Sequence, residues 1–222
     1  PSPEKMKVFY TALYHTMIHP ATAMDVDGSY RGMDDQIHKA IGFTYYSVFS
    51  LWDTFRALHP LFTIIQPDRD LDFIMTFLAM YQQGGLLPVW ELSSNETNCM
   101  IGYHAVPVIV DAFVKGIRGF DANLAFEAMK KSANDPKRNI DKYAANWFLS
   151  VEDEQESVSK TLEYSYDDWC IAQMAKYLGK KEEHVAYMKR SFGWMNLFDP
   201  STGFMRPRKN GGWLSQIGRA HV

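Results

Sequence analysis

The sequence predicts an all-α protein arranged as a helical hairpin array of the α/α-toroid kind, and three observations carry that prediction. Apolar residues recur at helical spacing along most of the 222 residues, the stretches that show it have ordinary helix lengths, and Gly, Pro and acidic residues gather between them. That order of helices fits such an array better than a doubly wound sheet. No short exact repeat marks the array, so the toroid rests on element order.

Met6, Phe9, Tyr10, Leu13, Tyr14 and Met17 form an i, i+3, i+4 stripe that Pro20 stops, which predicts the first helix. Over 21–45 the stripe gives way to Asp25, Asp27, Gly28, Gly32, Asp34 and Gly42, a loop-rich excursion with room for a short hairpin near Gly28 and a strand near Phe43. Helices are expected over 46–59, ended by Pro60, and over 68–83, capped near Asp68 and closed by Gly84 and Gly85. A polar loop over 88–99 precedes helices over 102–115 and 123–133. A charged surface connection over 134–155 holds a short helix near 140–145. The longest pattern, 157–178, sets Val158, Leu162, Tyr166, Trp169 and Met174 near one face. It pairs as a hairpin with 182–196, after Gly179.

Composition narrows the function. Hydrophobic residues at 46%, charged residues at 22%, 14 Gly and 10 Pro exclude collagen-like and disordered classes. Twenty-three Lys and Arg against 26 Asp and Glu, net −3, supply no basic field for nucleic acid or anionic lipid. Cys99 and Cys170 make neither a disulfide framework nor a zinc motif, and Cys99 is expected as a buried structural thiol. No apolar run reaches the roughly 18 residues of a spanning helix. The chain begins at Pro1 without Met or an apolar leader, so its true start is expected elsewhere. Residues 217–222 lack periodicity and match one reading frame of a sequencing adapter, which predicts a non-native tail after a domain portion over 1–216.

Thirty-two residues are aromatic, and several adjoin carboxylates. A pyranose needs that pairing, because its C–H face stacks on Trp or Tyr while its hydroxyls take charge-assisted hydrogen bonds. Trp52, Asp53 and Arg56 make the first cluster, with Arg56 one turn from Trp52; an ordinary ion pair beside a core Trp has the same spacing. Trp90, Glu91, Asn95 and Glu96 make the second, in a loop opened by Pro88, where Asn95 also begins an N-glycosylation triplet. His104 stands at a helix start, where packing or capping is the common role. Glu163, Asp167, Asp168 and Trp169 make the third, and in a half-buried helix one Asp of the doublet points inward and needs a partner. The spacing of Asp25, Asp27, Asp34 and Asp35 does not fit an EF-hand.

Taken together, the runs FYTALYHTMIHP from Phe9, DVDGSYRGMD from Asp25, FSLWDTFRALHP from Phe49, LPVWELSSNETNCMIGYH from Leu87, SVSKTLEYSYDDWCIAQMA from Ser157 and the stretch from Asn196 to Trp213 resemble glycoside hydrolase family 92, the calcium-dependent exo-α-mannosidases. The resemblance extends from about Lys5 to Ser215. It implies an N-terminal β-sandwich followed by an (α/α)6 barrel, of which this chain is the first part, acting on mannose-containing glycans in a secreted or periplasmic setting. It also implies an inverting mechanism, with acid and base about 6.5–9.5 Å apart to admit a water, and calcium at the mannose 2- and 3-hydroxyls. The family's acid lies in a Glu-Gly-Asn motif expected shortly after Trp213, and its base lies later, so no catalytic residue is expected here. By motif match Trp52, Asp53, Glu91, Asn95, Glu96, His104 and Asp168 are implied to line or support the mannose subsite; no metal ligand is implied. Ser94 stands where the family commonly has glycine. Another α/α-toroid glycosidase or lyase, or a noncatalytic glycan-binding helical module, is the alternative.

Overall fold

The computed structural model describes residues 2–214, so the tail expected over 217–222 lies outside the described residues. Helices dominate, and the described residues fall into two compact units: 2–100 with Asp111–Asp121, and Ile101–Val110 with 122–214. No helix among the described residues is long and apolar enough to cross a membrane.

In the first unit α1 (Pro3–Thr16) starts as expected, with Pro3 in its first turn and the Ser2 hydroxyl accepting from Lys5 N at 3.4 Å. None of its residues is buried. The excursion holds β1 (Ala21–Thr22) and an antiparallel hairpin, β2 (Ser29–Arg31) with β3 (Ile37–Lys39), in which Tyr30 faces His38.

The helix expected over 46–59 does not form as one piece. Its place is taken by β4 (Tyr46–Ser47) paired with β1, β5 (Phe49–Ser50), the short α2 (Leu51–Thr54) and α3 (Leu58–Ile65). Two causes are visible. Val48 sits at φ 70°, its N–H taken by Glu91. Pro60 lies in the first turn of α3, where an N–H has no intrahelical acceptor to lose, so it opens that helix instead of ending one. α4 (Pro67–Gly84) matches expectation at its C-terminus, closed by Gly85 at φ 83°. The polar loop contains a hairpin, β6 (Trp90–Leu92) and β7 (Asn95–Glu96), and β5, β6 and β7 form a three-stranded antiparallel sheet. Phe49, Phe62, Phe73 and Phe77 are fully buried beneath these elements, Phe49 and Phe77 edge to face with centroids 4.8 Å apart. Each such side chain contributes about 1.5–3 kcal/mol by burial.

The division between the units falls inside α5 (Ala105–Val114). The second unit continues through α6 (Ala122–Ser132), α7 (Ile140–Asn146), α8 (Ser157–Tyr177) and α9 (Lys181–Ser191), and α8 and α9 pack as the expected hairpin. Two small hairpins follow, β8 (Phe198–Asp199) with β9 (Phe204–Met205) and β10 (Arg208–Lys209) with β11 (Gly212–Trp213).

α9 ends at Ser191, short of 196, and a 3-10 segment over Phe192–Leu197 carries the chain on. There buried Gly193 presses against the backbone carbonyl of Trp147, and a Cβ at this position would lie 2.1 Å from that oxygen. Gly193→Ala is therefore expected to destabilise the second unit by about 1–3 kcal/mol, read as a lower midpoint in urea with an unchanged slope.

The apolar stripe named for α8 is not its buried face, and Val158 and Leu162 on it are only half-buried. Tyr166 and Trp169 are 43% and 44% exposed and stack on each other, and of the five residues named only Met174 is buried. The buried face is instead Thr161, Tyr164, Ser165, Asp167, Asp168, Ile171, Ala172 and Ala175. Its hydroxyls and carboxylates find partners, which is what allows such a face to leave water.

Candidate functional site

In the first unit the sheet sets the geometry. Phe49 pairs with Glu91 and Ser50 with Trp90, so α2, which follows Ser50 directly, starts beside Trp90. Trp52 is half-buried and Asp53 exposed, with the Ser50 hydroxyl donating to the Asp53 carboxylate. The Arg56 guanidinium donates to Trp52 O at 3.0 Å and lies 5.5 Å from the Trp52 ring and 4.3 Å from the Phe55 ring, as the one-turn spacing predicted.

Glu91 is fully buried. Its Oε1 accepts from the Ser47 hydroxyl at 3.0 Å and from Ser94 N, and its Oε2 accepts from Val48 N at 3.0 Å. Burial pushes its carboxyl upward, opposed by these donors. Half-buried Glu96 is used in the same way, accepting from Val89 N at 2.7 Å, Trp90 N at 3.1 Å and Asn98 N at 2.7 Å. Asn95 is exposed at the tip, its amide donating to Ser93 O at 2.9 Å. Cys99 is exposed, which corrects the buried thiol expected there. The turn joining β6 to β7 holds Ser93 at φ 50° and Ser94 at φ 62°, a left-handed pair that glycine would adopt at lower cost. The Ser94 hydroxyl offsets that by donating to Arg31 O at 2.5 Å.

In the second unit His104 is buried, Nδ1 2.7 Å from Asp167 Oδ1 and Nε2 3.3 Å from Glu163 Oε2. Gly102, at φ 83°, lies against that ring so closely that a Cβ would overlap it. Both members of the doublet are buried, where one was expected. Asp167 accepts from Tyr103 N at 2.8 Å. Asp168 accepts two bonds from Arg190, at 2.6 Å from Nε and 2.5 Å from Nη2, and one each from the hydroxyls of Tyr103 (2.8 Å) and Tyr143 (3.0 Å). Burial pushes the Asp168 carboxyl upward, against the pull of Arg190 and the phenols. Burial alone would lower the Arg190 guanidinium, and the Asp168 carboxylate more than reverses it, holding it above the ordinary arginine value. Arg190 and Tyr143, 22 and 25 residues from Asp168, had no local spacing signal.

The catalytic-domain model of glycosyl hydrolase family 92 matches residues 1–221. The chain belongs to family 92. It is similar to an alpha-mannosidase of Bacteroides thetaiotaomicron solved with mannoimidazole, at 46% identity and TM-score 0.91 over 95% of this chain and 28% of that one. It is also similar to an inverting mannosidase of the same organism, at 32% identity and TM-score 0.86 over 96% and 30%. An uncharacterized secreted glycosidase of Arthroderma benhamiae is 30% identical over 70% of this chain and 24% of its own length. The chain thus spans about a quarter to a third of the relatives it matches.

Among the described residues, the family-92 segment brings Trp52, Asp53, Glu91, Asn95 and Glu96 onto one sheet and its flank in the first unit, and His104 and Asp168 into one buried network in the second. Calcium takes six to eight oxygen ligands. No group of three or more His, Cys, Asp or Glu side chains among the described residues is placed to hold an ion, and the best-oriented carboxylates are spent on protein donors. The donor set here does not fit a calcium site.

Proposed function

We propose that this chain is part of the (α/α)6 catalytic domain of an inverting exo-α-mannosidase, acting on terminal α-mannosides such as α-1,2-linked mannose of N-glycans or mannans. In this reading it supplies a wall of the mannose subsite and neither the acid nor the base. The observation that carries it is Asp53: an exposed carboxylate steadied by Ser50 and flanked by Trp52, beside a strand that bears Trp90. Such a group can accept from sugar hydroxyls while an indole covers the C–H face. Glu91, Glu96 and Asn95 shape the hairpin behind it, and His104 and Asp168 support the second unit. The mannosidase relatives support the substrate class, and the secreted relative supports a secreted or periplasmic setting. The rest of the barrel and an N-terminal β-sandwich complete the enzyme. Calcium belongs to the complete enzyme in this reading, with its ligands supplied from outside the described residues.

Two measurements test this. Residues 1–216 alone are expected to release no mannose from an aryl α-mannoside, and turnover abolished by chelation would overturn that. In an enzyme carrying this segment, Asp53→Asn is expected to lower kcat/KM by roughly 10- to 100-fold, the scale of one charged hydrogen bond, without shifting the melting temperature. An unchanged kcat/KM rejects Asp53 as a substrate contact.

A further inference from the structure

His59, on α3, and Asp70, on α4, are 1% and 0% exposed. The imidazole Nδ1 lies 3.5 Å from Asp70 Oδ1, and both ring nitrogens and both carboxylate oxygens are buried without a hydrogen bond. A carboxylate buried without donors is among the costliest groups a fold can hold, and one proton shared with the imidazole makes the pair neutral overall. Of the charges around it, Asp111 and Lys115 on α5 act on Asp70 in opposite senses and are paired with each other at 2.6 Å. Arg69, next to Asp70 on α4, lies over the rings of Tyr46, Phe62 and Phe73.

The pair also anchors a segment. The His59 ring stands nearly perpendicular to Phe73, centroids 5.5 Å apart, and lies 6.3 Å from Phe77. Phe49 packs on the same two rings at 5.6 and 4.8 Å. Residues 50–58, Trp52 and Asp53 among them, are thus held between Phe49 at one end and His59 at the other. Burial pushes the Asp70 carboxyl upward, with His59 pulling the other way. A folded-state value above the unfolded one gives stability that is fully present below the unfolded value, about 4, and is lost as pH rises through the folded one.

We propose that His59 and Asp70 form one buried proton-binding site that tightens the segment from Phe49 to His59 in acid and loosens it as pH rises. The protonated pair is neutral and suits the aromatic layer around it, whereas the deprotonated pair leaves a net charge there. This holds whether or not Asp53 meets a sugar.

The test is urea unfolding of the 222-residue chain and of its Asp70→Asn variant at about pH 5 and about pH 8. Asparagine has nearly the volume of the protonated acid and no proton to lose. As pH rises, the folding equilibrium of Asp70→Asn is expected to gain on that of the native chain by up to about tenfold per pH unit, the slope of one proton. A difference between the two that stays constant with pH overturns the proposal, because a merely structural pair loses the same stability at any pH. At the higher pH, trypsin is expected to cut after Arg56, inside the held segment, severalfold more slowly in Asp70→Asn than in the native chain, and equal rates also overturn it. If Asp70→Asn does not fold, His59→Phe combined with Asp70→Leu removes both buried polar groups and carries the same comparison.

Discussion

Asp168→Ala is expected to cost the second unit about 3–5 kcal/mol, the scale for removing one partner of a buried ion pair. Asp168 is fully buried, and its two oxygens receive four bonds, two of them from Arg190. Alanine would leave a guanidinium with 11% side-chain exposure opposite a void, together with two phenols deprived of their acceptor. Asp168→Asn keeps the volume but not the charge, so it should fall between the two. Arg190→Met added to Asp168→Asn should recover part of the loss, because no buried charge then stands alone. Urea unfolding of the four proteins decides it. A urea midpoint unmoved by Asp168→Ala would mean that Asp168 is not the structural hub its contacts describe.

Glu91→Ala is expected to cost the first unit about 3–5 kcal/mol. Three donors, Val48 N, Ser94 N and the Ser47 hydroxyl, lose their acceptor in a buried place, at about 1–3 kcal/mol each before relaxation. Two of those donors belong to residues with left-handed backbones, Val48 at φ 70° and Ser94 at φ 62°, conformations the carboxylate helps to hold. Glu91→Gln is expected to cost less, since one amide oxygen still accepts while the NH2 is set against a donor. Proteolysis near 48 and 94 is expected to quicken in Glu91→Ala before global unfolding does. In an enzyme carrying this segment, Glu91→Ala with unchanged stability and a lowered kcat/KM on mannosides would overturn this role and make Glu91 a substrate contact.

Both residues were legible as important and misleading as to why. Glu91 stands beside Trp90, and Asp168 beside Trp169, which is the pairing a sugar needs. In the folded chain their oxygens face backbone amides, phenols and a guanidinium. Asp53, identical in kind by sequence, is the one left exposed. The i, i+4 contact of Arg56 with Trp52 was readable because a helix fixes it locally. The bond from Arg190 to Asp168 was not, because it depends on how α8 and α9 pack. The Ser94 position shows a third case: a residue where the family commonly has glycine was visible in the string, and its cause, a left-handed turn, only in the backbone.

From the sequence alone came the helical architecture, the positions of α1, α4, α6, α7 and α8, the hairpin of α8 with α9, and the resemblance to family 92, since periodicity, caps and motif strings are local properties of the chain. Tertiary structure alone decided that 46–59 divides into strands and two helices, that the buried face of α8 carries Thr161, Ser165, Asp167 and Asp168, and which acids remain open to a ligand. Burial of a carboxylate or hydroxyl is decided by whether a partner from a distant element arrives to satisfy it, and no local pattern records that arrival.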